Sequence, residues 1–177
     1  MRAIGGDDIV SALEAQLRAN VPQVVTALGF EHLGEVQEWQ VVPDIDAITT
    51  ARFPAVAIVS PRVGASPQRG NKTYSATWQA SVGVFDRDTD HKATQTRVQQ
   101  WAKVLRVAAL ITPLSGTGIA LRWAGEEYDV VPTKQSARTI AGAEVLFDAI
   151  VDTALDLTDS NNLPPLQSVH NDITPTT

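Results

Sequence analysis

The sequence predicts an α+β domain, a mainly antiparallel sheet with two main helices packed on one face. Three stretches predict it. In TYSATWQASVGVFDR, starting at Thr73, the residues Tyr74, Ala76, Trp78, Ala80, Val82 and Val84 fall on one side, and Ser75, Thr77, Gln79, Ser81 and Gly83 on the other. That two-residue period belongs to a strand with one face on a core. After the acidic DTDH, the stretch KATQTRVQQWAKVLRVAALIT carries Val98, Trp101, Leu105 and Ala108 at helical spacing, a single apolar stripe to lay on that face. Late in the chain AEVLFDAIVDTALDL alternates again. The order helix, strands, helix, strands argues for helices layered on an antiparallel sheet.

The elements follow in order. Asp7 or Asp8 can cap a first helix, along which Val10, Leu13, Leu17, Val21, Val24 and Leu28 repeat until Gly29 supplies a stop. Pro22 lies inside this pattern and predicts a kink, or a restart capped by Asn20. VQEWQVV reads as a short strand and PDIDAITTARFP as an irregular connection. AVAIV, between Pro54 and Pro61, is a short continuous apolar run, the mark of a central strand covered on both faces. It pairs most simply with the long strand as an antiparallel hairpin, with Arg62 to Lys72 as a surface loop. The second helix should end at Thr112-Pro113. IALRWAGEEYDVVP reads as two short strands around Ala124-Gly125-Glu126, and Lys134 to Gly142 as a polar connection. In the last strand Val145, Phe147, Ala149, Val151, Thr153 and Leu155 share a side. The expected division is one domain over 1–157 and a flexible C-terminal tail over 158–177.

Composition narrows the function classes. A hydrophobic content of 44% in 177 residues suits one domain with a real core and argues against wholesale disorder. There are no cysteines, which removes disulfides, thiolate metal sites and cysteine nucleophiles together. A net charge of −6 argues against a nucleic-acid-coating role. MRAIGGDDIV has no apolar h-region, so no secretory leader is expected, and no run approaches the length of a membrane span.

Catalytic and metal motifs fail on inspection. Asp86, Asp88 and Asp90 have the spacing that opens a calcium loop, but His91 and Arg97 stand where glycine and glutamate are required. An acidic cap on the following helix is the simpler reading. GASPQRGNK lacks the ending of a phosphate loop. His32, His91 and His170 are scattered without the partner spacing of a zinc site. Trp39, Trp78, Trp101 and Trp123 read as core or interface anchors. Asp148, Asp152 and Asp156 recur four apart on the last strand. Three readings stand for them: a solvated sheet face, the lining of a pore through which a polyanion passes without sticking, and, third, a metal site, for which the carboxylates sit too far apart along a strand without ligands from elsewhere.

The organisation of these elements resembles the tail terminator and minor tail proteins of long-tailed bacteriophages, the lambda-like tail-completion group. The resemblance covers about Asp7 to Leu157. It is carried by the capped first helix, by FPAVAIVSP leading into a basic hairpin loop, by TYSATWQASVGVFDRD running into a helix with Trp101, and by the closing strand EVLFDAIVDTAL. An extra hairpin around Ala124-Gly125 and the Pro-rich tail depart from the simplest version. The resemblance implies a non-enzymatic virion protein of the tail and neck, assembled in the host cytoplasm, with no cofactor. It implies a hexameric homo-oligomeric ring that caps the tail tube, ends its polymerisation and meets the head–tail connector, while DNA passes through the lumen without specific binding. On this view Arg62, Arg69 and Lys72 contact the tube protein or a neighbouring subunit, and Asp148, Asp152 and Asp156 face the channel. A head-closure or head–tail joining protein is the alternative of the same class; a small ligand-binding domain, an enzyme or a regulatory adaptor are alternatives of another.

Overall fold

The computed structural model describes residues 2–42, 52–64, 68–69, 71–88, 90–114, 118–131 and 139–158. The expected tail, apart from Thr158, lies outside these residues, as do most of the connection at 43–51 and the tip of the basic loop. The elements are β1 (Arg2–Ala3), α1 (Gly6–Ala27), a single turn at Glu31–Leu33, β2 (Glu38–Val42), β3 (Ala55–Val63), β4 (Gln68–Arg69), β5 (Thr73–Asp88), α2 (His91–Leu110), β6 (Ile119–Val131) and β7 (Thr139–Asp156). They form the expected α+β architecture. One seven-stranded sheet runs β1-β7-β5-β3-β2, with β6 also on β7 and β4 also on β5. Every pair is antiparallel except β2 with β3.

The core forms where the helix stripes meet one face of this sheet. Val98, Trp101, Leu105 and Ala108 of α2 are fully buried against Val82, Val84, Val145 and Phe147. Ile9, Leu13, Leu17, Val21 and Val24 of α1 join the same core. Removing each such side chain from water stabilises the fold by about 1.5–3 kcal/mol. β3 is covered on both sides, as its continuous apolar run requires: Ala55, Val56, Ala57 and Ile58 are all buried.

Several expectations are corrected in detail. Gly5, not an aspartate, is the N-cap of α1, and Asp8 works from the third helical position by accepting the Gly5 N–H at 2.8 Å. The helix continues through Pro22 without a restart, because Val21, Val24 and Val25 keep its apolar stripe on the core across the missing donor. Asn20 is not a cap. Its side-chain amide and that of Gln16 reach across to α2, donating to Ala108 O at 2.9 Å and Ala109 O at 2.6 Å. These bonds satisfy terminal carbonyls of a helix whose end carries no basic residue. Gly29 does end α1, at φ +68°, with Phe30 N donating to Val25 O and Gly29 N to Thr26 O in a Schellman arrangement.

The segment read as two short strands around Gly125 is one strand, β6, with a register shift between Trp123 and Gly125. An extra residue in one strand bulges it without ending the ladder, so the turn-like Ala-Gly does not make a hairpin. β7 begins at Thr139, inside the expected polar connection, and its buried series passes from Val151 to Ala154. There three β7 residues, 152–154, stand opposite the one β5 residue Ser75 (between Ala76↔Val151 and Tyr74↔Leu155), which ends the strict alternation. β3 likewise extends past Val59 to Val63. Its Pro61 falls in the register gap between Val59 and Arg62, where no ladder donor is needed.

Candidate functional site

Two kinds of feature emerge: a polar knot that fixes the helix–sheet joint, and the surfaces left over for partners. The knot centres on Asp86. Its position continues the inward series Val82, Val84, so the sheet pleat carries its carboxylate into the core, where the residue is 1% exposed. Arg97 Nε donates to Asp86 Oδ2 at 2.9 Å, the Trp101 indole Nε1 donates to the same oxygen at 3.1 Å, and the Arg87 amide donates to Oδ1 at 2.8 Å. Arg97 and Trp101 stand one helical turn apart on α2, so both reach one acceptor. The Arg97 guanidinium also donates to Leu33 O at 3.0 Å and His32 O at 3.2 Å, tying in the turn after α1. Burial pushes the Asp86 carboxyl above the usual carboxylate range, against the lowering pull of the Arg87 amide, Arg97 and Trp101.

The triple aspartate therefore divides its work. Asp90 is the cap that the sequence suggested, accepting Ala93 N at 2.9 Å. Asp88 lies near Arg97, and Asp86 is a core anchor. Among the described residues no three His, Cys, Asp or Glu side chains are grouped to hold a metal ion. His32 bonds Gln100 at 2.9 Å, and His91 is the exposed first residue of α2.

The basic set is spread around the β3–β5 hairpin. Arg62 is exposed on β3, with Nε 3.3 Å from Gln79 Oε1; Arg69 is exposed on the two-residue β4. Lys72 is exposed at φ +60°, and its carbonyl accepts Leu157 N at 2.8 Å. The loop tip between them lies outside the described residues.

The acidic set sits on β7. Asp148 is ion-paired with Arg122 across the β6–β7 ladder, Arg122 Nη2 lying 2.6 Å from Asp148 Oδ2. Asp152 is exposed. Asp156 lies beyond the β7 irregularity and turns back to accept from the Thr158 hydroxyl at 2.7 Å and amide at 2.9 Å, bonds that hold its carboxyl below the usual range. Glu127 and Glu144, directly opposed across β6 and β7, enlarge the acidic character of the face that carries Asp148. Sequence spacing along one strand cannot show a pair made across two. Only the register brings Glu127 to Glu144 and Arg122 to Asp148.

The remaining features lie at the sheet's outermost strands. Among the described residues β2 at one edge and β6 at the other have no strand on their far side, apart from a single bridge of Leu114 to Ile119. Both carry exposed apolar side chains, two on β6 and one on β2 among the described residues. On β6, Trp123 is 47% and Tyr128 44% exposed. Arg106 of α2 stacks 4.5 Å above the Trp123 ring and pairs with Glu126 at 2.7 Å, and the Tyr128 hydroxyl donates to the same carboxylate. Burial and then Glu126 push the Tyr128 phenol up to about 12. On β2, Val41 is 50% exposed. Near it a cleft of about 580 Å³ opens between α1 and β2, lined by Val21, Val25, Val36 and Trp39 together with Arg18, Glu31 and Glu35.

No family model matches the chain, and no curated protein matches it. Among solved structures the chain is similar to one from the virion of a native gene transfer agent (GTA) particle. That match has 14% identity and a TM-score of 0.43, covering 76% of this chain and 92% of that one.

Proposed function

We propose that this chain is a structural virion protein, the ring-forming subunit that caps a phage tail tube, ends its polymerisation and offers the surface that joins the head connector. What carries the proposal is a sheet whose outermost strands among the described residues, β2 and β6, lie at opposite edges and carry the exposed Val41, Trp123 and Tyr128. A monomer gains nothing from two such edges, whereas head-to-tail copies cover both at once and close as a ring. The elements behind the tail-terminator resemblance support it: a capped α1, the β3–β5 hairpin, β5 leading directly into α2, and the closing β7. In this account the protein acts through surfaces, without catalytic chemistry. The β3–β5 hairpin, with Arg62, Arg69 and Lys72, meets the tube protein or an adjoining subunit. The face bearing Asp148 and Asp152 lines the channel, and the Arg122–Asp148 pair moderates its charge.

The test is electron microscopy of particles assembled after the gene is deleted from a phage that carries it. Overlong tails unattached to filled heads support the terminator. Tails of normal length beside leaking or tailless heads move the protein to the head side of the joint. Normal virions refute both. Charge reversal at Asp148 and Asp152 that leaves assembly and DNA ejection unchanged removes the channel role.

A further inference from the structure

We infer that the β6 edge of one copy docks on the α1–β2 edge of a second copy, with Trp123 seated in the cleft beside Trp39. The inference rests on the ring proposed above and names its contact.

Strand direction comes first. β2 is parallel to β3, and β3, β5, β7 and β6 then alternate, so β6 runs opposite to β2. If the sheet continues from one copy to the next, β6 therefore meets β2 antiparallel, the pairing already used through most of the sheet. Because these are different strands at opposite edges, the contact is head-to-tail rather than two-fold.

The side chains agree in face and shape. Trp123 is in register with the buried Phe147 and lies under Arg106 of α2, so it stands on the helix side of the sheet. Trp39 is in register with the buried Val56, and Arg18 of α1 stacks 4.9 Å from its ring, so the cleft opens on the same side. A sheet continued between copies keeps its helix layers on one side, which brings these two features together. The cleft's volume of about 580 Å³ and its wall of Val21, Val25, Val36 and Trp39, with the Arg18 guanidinium beside them to stack on a ring, suit an indole. Arg122 stands on the opposite face of the sheet, paired with Asp148, and takes no part in this contact.

The experiment is native mass spectrometry of the purified full chain, with circular dichroism to confirm folding. Trp123→Ala disables the β6 side, and Thr26→Arg, at an exposed position on the cleft wall, disables the other. Each should weaken self-association by about 30-fold or more, the effect of losing a buried aromatic anchor. Mixed in equal amounts, the two variants retain one good β6 and one good cleft between them. They should stop at a mixed dimer, which a two-fold contact cannot do. If either variant unfolds, Trp123→Gln and Pro22→Arg, the latter also exposed on the cleft wall, take their places with the same outcomes expected. Wild-type rings with unaffected variants overturn this contact and leave the ring standing. A wild-type chain that stays monomeric, alone and on tube ends, overturns the ring and the contact together.

Discussion

Replacing Asp86 by alanine should be among the costliest single changes in this fold. The carboxylate accepts three hydrogen bonds, from Arg97, Trp101 and the Arg87 amide. Breaking a buried ion pair from one side costs about 3–5 kcal/mol. The lower end applies here, because the Arg97 side chain is 19% exposed and keeps its bonds to His32 O and Leu33 O. The Trp101 indole N–H is left buried without an acceptor, which adds about 1 kcal/mol or more. The total is about 4 kcal/mol, a large share of the ~5–15 kcal/mol that holds a domain folded. Urea denaturation should show it as a midpoint lowered by about 2 M if the slope is about 2 kcal/mol/M. Asp86→Asn keeps an acceptor for the indole and should cost roughly half as much. In the Trp101→Phe background the alanine change should cost less, because no N–H is orphaned there. An Asp86→Ala protein within about 1 kcal/mol of wild type would show that the knot does not hold α2 to the sheet.

Further outcomes follow from the same geometry. Burial raises the Asp86 carboxyl in the folded state. Protonation of Asp86 therefore adds stability that is full below the unfolded value near 3.8 and is lost as pH rises through the raised folded value, leaving the hydrogen-bonded carboxylate above it; Asp86→Asn should remove that slope from an acid-range stability profile. Tyr128 has a folded phenol pKa of about 12 against 10.0 unfolded, so its contribution is held below pH 10 and lost as pH climbs toward 12. The wild-type minus Tyr128→Phe absorbance titration should show the late ionisation, and Glu126→Gln should bring it earlier. Gln16→Ala with Asn20→Ala exposes the carbonyls of Ala108 and Ala109 at the end of α2, and thermal denaturation should register a loss of about 2 kcal/mol. At Gly142 an added Cβ would lie 2.9 Å from the Phe85 ring, so Gly142→Ala should destabilise by about 1–3 kcal/mol in urea titration.

Much of this fold is legible in the sequence because burial imposes a period. The stripe through Val98, Trp101, Leu105 and Ala108 and the alternation from Ala76 to Val84 mark the two surfaces that meet. Local chemistry is legible too: Gly29 ends α1, and Asp90 caps α2. What stays hidden depends on partners distant in the chain. Asp86 continues an apolar alternation, but that a charge should follow Val84 inward is decided by Arg97 and Trp101 a helix away. Pro22 looks like a break until α1 is packed along its whole length. Ala124-Gly125 has turn chemistry, yet the β7 ladder on either side absorbs it as a bulge. The surface sets are harder still. Arg62, Arg69 and Lys72 can be read as a basic hairpin, while the compensation of Asp148 by Arg122 needs the register of a second strand.

The proposed role as a tube-capping ring is tested most directly by electron microscopy of tail-tube protein polymerising with and without the purified chain. A stoichiometric amount should yield shorter tubes, each with a ring of extra density at one end and none along its length. Tubes of unchanged length with bare ends would contradict it.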